Sequence, residues 1–243
     1  MRSLRPSDGE VAIWYARTED VCADSDGIHR AVSWLQPTER ARYDRFRHDV
    51  DRQMFLLGRI MARTLVGAML DVHPTSWTWH EGERGRPEVR DTPLSFNLAH
   101  SAGLVVCAVS HDRTVGVDVE HRRRPPTDPQ IVQRFCSPAE MADIERCGPD
   151  GWRDRFLKYW TLKEAYLKAR GLGIAVPLAD VSFSLGERDA TVTFLQSLAG
   201  LPTTWAFFLA ETDSEHFVAA AASTDTGGTP TFTLSPFPAA LMP

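Results

Sequence analysis

Residues 115–120 read Val-Gly-Val-Asp-Val-Glu. Only an extended strand sorts successive side chains onto opposite faces, so strict alternation of this kind leaves one backbone conformation open. Val115, Val117 and Val119 are expected to face a core, while Gly116, Asp118 and Glu120 share the other face. Two residues of strand span ~7 Å. Asp118 and Glu120 therefore stand near enough to converge on one cation, beside a glycine with no side chain to obstruct it. An oxygen-only donor pair favours Mg2+ over zinc. The same alternation describes an amphipathic strand with a solvated acidic face, so the pattern alone leaves both readings open.

A second pattern has helical spacing. Trp152, Phe156, Trp160, Glu164 and Lys168 recur four apart and form one stripe in which three aromatics lead to a carboxylate and then an ammonium. If the aromatics pack inward, Glu164 starts at the edge of the core, where a carboxylate is costly unless paired or bound to metal. An exposed Glu–Lys pair is the bland alternative. The only lysines of the chain, Lys158, Lys163 and Lys168, all fall in this segment.

The rest of the chain reads as an α+β protein. Strands are expected at 11–16, 103–109, 115–120, 180–185, 191–195, 204–210 and 216–222. The strands at 103–109 and 115–120 flank a polar connection, Ser110 to Thr114, and predict an antiparallel hairpin. A long helix is expected from Thr38, as N-cap, to about Leu70. A shorter helix is expected at 138–146 behind Ser137 and Pro138, and another at 150–169 closed by Gly171 and Gly173. Gly85-Arg86-Pro87 marks a turn. Two α+β halves, 1–112 and 113–224, are expected, with a loose tail over 225–243.

The composition is globular, 43% hydrophobic and 24% charged, with a formal net charge of -5. That balance argues against binding driven by nucleic-acid phosphate. No run approaches the ~18 apolar residues of a transmembrane helix, and Met1–Asp8 lacks the apolar core of a secretory signal. Cys22, Cys107, Cys136 and Cys147 form no C-x-x-C pair and are expected as reduced thiols in a cytoplasmic protein. Cys107 lies in an apolar run and is expected in the core.

A third segment, Phe96-Asn97-Leu98-Ala99-His100-Ser101, places a histidine among small residues. Taken in order, the Gly-Arg-Pro turn, this segment, the strand and the Trp160-Thr161-Leu162-Lys163-Glu164-Ala165-Tyr166-Leu167-Lys168 helix resemble the Sfp-type 4′-phosphopantetheinyl transferases. That family pairs a (V/I)-G-(V/I)-D-x-E strand with a W-(S/T)-x-K-E-(A/S)-x-x-K helix about forty residues later, the interval between Glu120 and Trp160 here.

The resemblance implies a pseudo-symmetric monomer of two α+β halves with its active site in the cleft between them. It implies Mg-dependent transfer of the phosphopantetheine arm of coenzyme A (CoA) to a serine of an apo acyl- or peptidyl-carrier protein, releasing adenosine 3′,5′-bisphosphate. The carrier could be of fatty-acid, polyketide or nonribosomal-peptide type. Neither nucleic acid nor membrane is an expected partner. Asp118, Glu120 and Glu164 match the Mg2+ ligands, and Glu164 also matches the base for the serine. Lys168 matches a lysine on the CoA phosphates, with Lys163 as a further contact from the same motif. His100 matches a phosphate contact, and Arg86 and Pro87 match contacts at the adenosine end. Ala99 stands where the family usually has Ser or Thr, which leaves its backbone N–H as the contact. Met54 stands where an arginine often holds the 3′-phosphate; Arg52 is the substitute, with Arg47 and Arg45 as alternatives. A phosphoesterase acting on CoA or a related nucleotide with the same carboxylates, or a non-catalytic CoA-binding protein, are the competing classes.

Overall fold

The chain divides into two units, Met1–Asp112 with Thr231–Pro243, and Arg113–Pro230. The computed structural model describes residues 4–21, 25–82, 87–124, 128–171, 177–186, 190–194, 205–225 and 228–243. Cys22, Gly85, Arg86 and Gly173 lie outside the described residues.

The first unit opens with β1 (Glu10–Arg17), α1 (Thr18–Val21), α2 (Ser25–Ser33), α3 (Pro37–Tyr43) and α4 (Asp49–Leu70). It continues through two short strands, β2 (His80–Glu81) and β3 (Pro87–Glu88), to β4 (Leu94–Ser101) and β5 (Leu104–His111). The second unit contains β6 (Val115–His121), α5 (Pro129–Phe135), α6 (Pro138–Arg146), α7 (Gly148–Arg170), β7 (Val181–Leu185), β8 (Ala190–Phe194), β9 (Trp205–Thr212) and β10 (His216–Ser223). A last strand, β11 (Thr231–Pro236), belongs again to the first unit.

In the first unit the main sheet runs β11-β1-β5-β4, with β11 parallel to β1 and the other pairs antiparallel. The helix α4 packs Leu57, Met61 and Leu65 against Trp14, Phe96 and Cys107 of that sheet. Among the described helices α4 alone is long and apolar enough to span a membrane, but most of it is buried inside the protein. Burial also pushes the Cys107 thiol far up, leaving it a neutral core side chain. In the second unit the sheet runs β6-β10-β9. There α7 lays Phe156, Ala165 and Tyr166 on Phe217, Ala219 and Ala221.

Three expectations need correction. The strands at 103–109 and 115–120 form, but not as a hairpin: β5 pairs with β1 and β4, whereas β6 pairs with β10. The polar connection between them is where the chain leaves one unit for the other. The Ser110 hydroxyl donates back to Glu10 O at 3.0 Å, and the Arg113 guanidinium donates to Ser223 O and Gly228 O at 2.9 Å. The helix expected over 38–70 is two helices. Pro37 occupies the first turn of α3, so the cap falls on Gln36 rather than Thr38, and the Glu39 carboxylate accepts the Gln36 N–H at 2.8 Å. Phe46 lies in the break after Tyr43, its ring tilted against that of Phe55 with centroids 5.2 Å apart. Finally, the tail expected to be loose becomes β11, and beyond it Phe237 is buried in the first unit's core.

Candidate active site

The second unit brings the strand motif and the helix motif together through a missing side chain. A Cβ at Gly116 would lie 2.2 Å from the Ala165 carbonyl oxygen and 2.3 Å from the Ala169 nitrogen. Glycine alone lets α7 settle directly on β6. The Gly116, Asp118 and Glu120 face is therefore not solvated; α7 covers it, and Asp118 is only 7% exposed. Val115, Val117 and Val119 are buried on the opposite face, so both sides of this strand are covered. The helix contact also fixes the register: Ala165 and Ala169 touch the strand, and Glu164 and Lys168, each one residue earlier, are carried to the acidic residues beside it.

Lys168 donates to Asp118 Oδ1 at 2.7 Å. Glu120 Oε1 accepts from Arg124 Nη1, and the Arg124 guanidinium lies over the Trp160 indole with its carbon 5.4 Å from the ring centroid. Burial raises the pKa of Asp118, with Lys168 opposing. Burial also raises that of Glu120, with repulsion from Asp118 adding to it and Arg124 and the Trp160 indole opposing. Glu164 is raised by burial and then by Asp118, with Glu120 adding to the repulsion. Each carboxylate thus feels the others through a poorly solvated space. Lys168 and Arg124 oppose the cost of that burial.

The chemistry of this cluster fits a hard divalent cation. Asp118 Oδ2 and Glu164 Oε1 are buried and accept no hydrogen bond, and an orphaned carboxylate oxygen is a costly thing to bury. Among the described residues no three acidic, histidine or cysteine side chains stand in a ready-made metal cage; Asp118 and Glu120 are each engaged by a basic side chain instead.

The structure withdraws Lys163 from the CoA contacts. It is 1% exposed, pairs with Glu140 at 2.8 Å and donates to the Leu178 and Val181 carbonyls. Lys163 lies one residue before Glu164, and that step turns it to another side of α7. Glu140 in turn caps α6 by accepting the Ser137 N–H at 2.7 Å, and it takes the Phe183 N–H at 2.9 Å. The first unit carries the same device: Glu39 at the start of α3 pairs with the fully buried Arg63 of α4 at 2.8 Å.

The other expected CoA contacts lie in the first unit. His100 is exposed on β4, an edge strand, and Pro87 is half-buried on β3. Ala99 is buried, which removes its methyl from any ligand and leaves only its backbone. Met54 is buried in the core, so no basic group can occupy that direction. Arg52 is held locally, donating to Asp49 Oδ1 at 2.8 Å and Phe46 O at 2.7 Å. Sequence reasoning missed Arg124. Its only signal was its place in the Arg122-Arg123-Arg124 run, four residues beyond Glu120.

Comparison with known proteins agrees with this arrangement. Residues 114–222 match the 4′-phosphopantetheinyl transferase superfamily, and residues 23–112 match the N-terminal 4′-phosphopantetheinyl transferase family. A phosphopantetheinyl transferase of Thraustochytrium sp. is 36% identical over 226 residues, covering 87% of this chain and 78% of its own. The 4′-phosphopantetheinyl transferase HetI of Nostoc sp. is 38% identical over 146 residues, covering 58% of this chain and 61% of its own. The 4′-phosphopantetheinyl transferase Sfp of Bacillus subtilis is 30% identical over 159 residues, covering 65% of this chain and 70% of its own. With its two family matches on either side of Asp112, and with the strand and helix motifs packed face to face, this chain belongs to the 4′-phosphopantetheinyl transferase superfamily.

Proposed function

We propose that in this transferase Asp118, Glu120 and Glu164 hold Mg2+ beside the pyrophosphate of CoA, and that Glu164 takes the proton of the attacking carrier serine. The observation that carries this reading is the pair of buried, unpartnered carboxylate oxygens, Asp118 Oδ2 and Glu164 Oε1. When bound, the cation would neutralise charge that gathers on the pyrophosphate oxygens. The serine Oγ forms the new bond to phosphorus, the bond from that phosphorus to the adenosine bisphosphate oxygen breaks, and the serine proton passes to Glu164. Glu164 Oε1 accepts no other hydrogen bond and so has a lone pair open to that proton. Lys168, anchored on Asp118, supplies a point charge for the phosphates. His100 and Pro87 contribute contacts to CoA. The carrier is of the acyl or peptidyl type, and the enzyme works as a cytoplasmic monomer. Hydrolysis of CoA is not favoured, because the relatives are named as transferases.

Mass spectrometry of an apo carrier protein incubated with this protein, CoA and Mg2+ tests the reading. One added phosphopantetheine is expected, with Asp118→Ala inactive and Glu164→Gln slower by about a hundredfold or more. Carrier modification by Glu164→Gln at the wild-type rate refutes the assigned base. CoA hydrolysis without carrier reinstates the phosphoesterase.

A further inference from the structure

Arg124 follows β6 in a turn whose backbone N–H groups at 122, 123 and 124 are all engaged. Arg122 N donates to Glu215 O at 2.7 Å, Arg123 N to His121 Nδ1 at 3.1 Å and Arg124 N to His121 O at 3.0 Å. This turn sends the Arg124 side chain back along the strand to Glu120. Its guanidinium rests on Trp160, which is itself held by Phe135 at 5.2 Å and Phe156 at 6.1 Å. Glu120 is thus paired with Arg124, and the Trp160 indole hydrogen-bonds to it as well.

We propose that Arg124 is a positioning residue of this enzyme: it holds Glu120 against Trp160 and sets the charge of the acid cluster so that a divalent cation and the CoA pyrophosphate are accommodated together. The inference rests on the Mg2+ reading above. Three carboxylates with Lys168 and Arg124 carry one net negative charge. A divalent ion reverses that to one positive charge, which suits an incoming pyrophosphate. Without Arg124 the cluster is more negative and attracts the cation more strongly, yet once loaded it has no positive charge left for the anion.

Loss of Arg124 should therefore move two affinities in opposite directions, which general distortion of the site would not do. Mn2+ binding to the full-length protein, followed by electron paramagnetic resonance without CoA, reads the first. The KM for CoA at saturating Mg2+ reads the second. In Arg124→Ala we expect Mn2+ to bind about fivefold tighter and the KM for CoA to rise about tenfold, with kcat changing less. Arg124→Lys, which keeps the charge, should return both towards wild type. If both affinities are unchanged in Arg124→Ala, or both weaken together, the proposal is overturned. If wild type binds no Mn2+ that Glu164→Gln and Asp118→Asn abolish, the cation reading falls and this inference falls with it.

Discussion

Glu164 shows what gathering acids in a poorly solvated space costs the fold. Burial, then repulsion from Asp118, raises its pKa above the ordinary value of 4.5. A carboxyl group whose folded-state pKa exceeds its unfolded one contributes stability that is full below the unfolded pKa and is lost as pH rises through the folded one. In chelator at pH 7, Glu164→Gln should therefore unfold at a temperature on the order of 2–4 °C higher than wild type. The gain should vanish below about pH 4, where wild type is protonated too; calorimetry across that range checks it. Lys163 gives the converse case. Lys163→Met leaves Glu140 buried without its ammonium and should cost about 3–5 kcal/mol in urea unfolding. Because Lys163 is sealed inside the second unit, the KM for CoA of the folded variant should not change. Its role was not legible from the sequence. The motif puts Lys163 beside Glu164, but the helical step between them turns one side chain to the acid cluster and the other to Glu140.

At the scale of elements, the site depends on how closely α7 lies on β6. Gly116→Ala would drive a methyl group into the Ala165 carbonyl oxygen and the Ala169 backbone. Neither is the end of a flexible side chain, so helix and strand must separate. Urea unfolding should register a loss of about 3 kcal/mol or more. Carrier modification should fall further than stability alone explains, because the same separation moves Glu164 and Lys168 from Asp118. Strand alternation and the i, i+4 stripe were readable because each depends only on residues near in the chain. The partners of β5 and β6 were not. A polar five-residue connection suits a hairpin turn as well as a passage between units, and only the remote partners β1, β4 and β10 decide between them.

Across the whole molecule, the chain returns at Thr231 to complete the unit in which it began. The strand β11 covers the edge of β1, pairing Glu10 to Thr231 through Tyr15 to Pro236. Phe237 enters the core that Trp14 and Phe96 share, with Leu241 and Met242 packed against it. A chain ended at Pro230 should expose that sheet edge and part of that core. Limited proteolysis is then expected to cleave residues 4–112 much faster than residues 113–230, and equal rates would contradict the stapling role of β11. The return was hidden because a segment rich in Thr, Pro and Gly has little strand signal of its own; its structure comes from the edge it joins. What the sequence determined by itself was local: that 115–120 is strand and 150–169 helix, and that two acids share one face of the first while an acid and an ammonium share one stripe of the second. The tertiary structure decided the rest, namely which strands pair, that Lys163 faces inward, that Arg124 clamps Glu120, and that the acids are buried deeply enough to repel one another. Periodicity acts over a few residues, whereas burial and charge pairing depend on what the folded chain brings from far away.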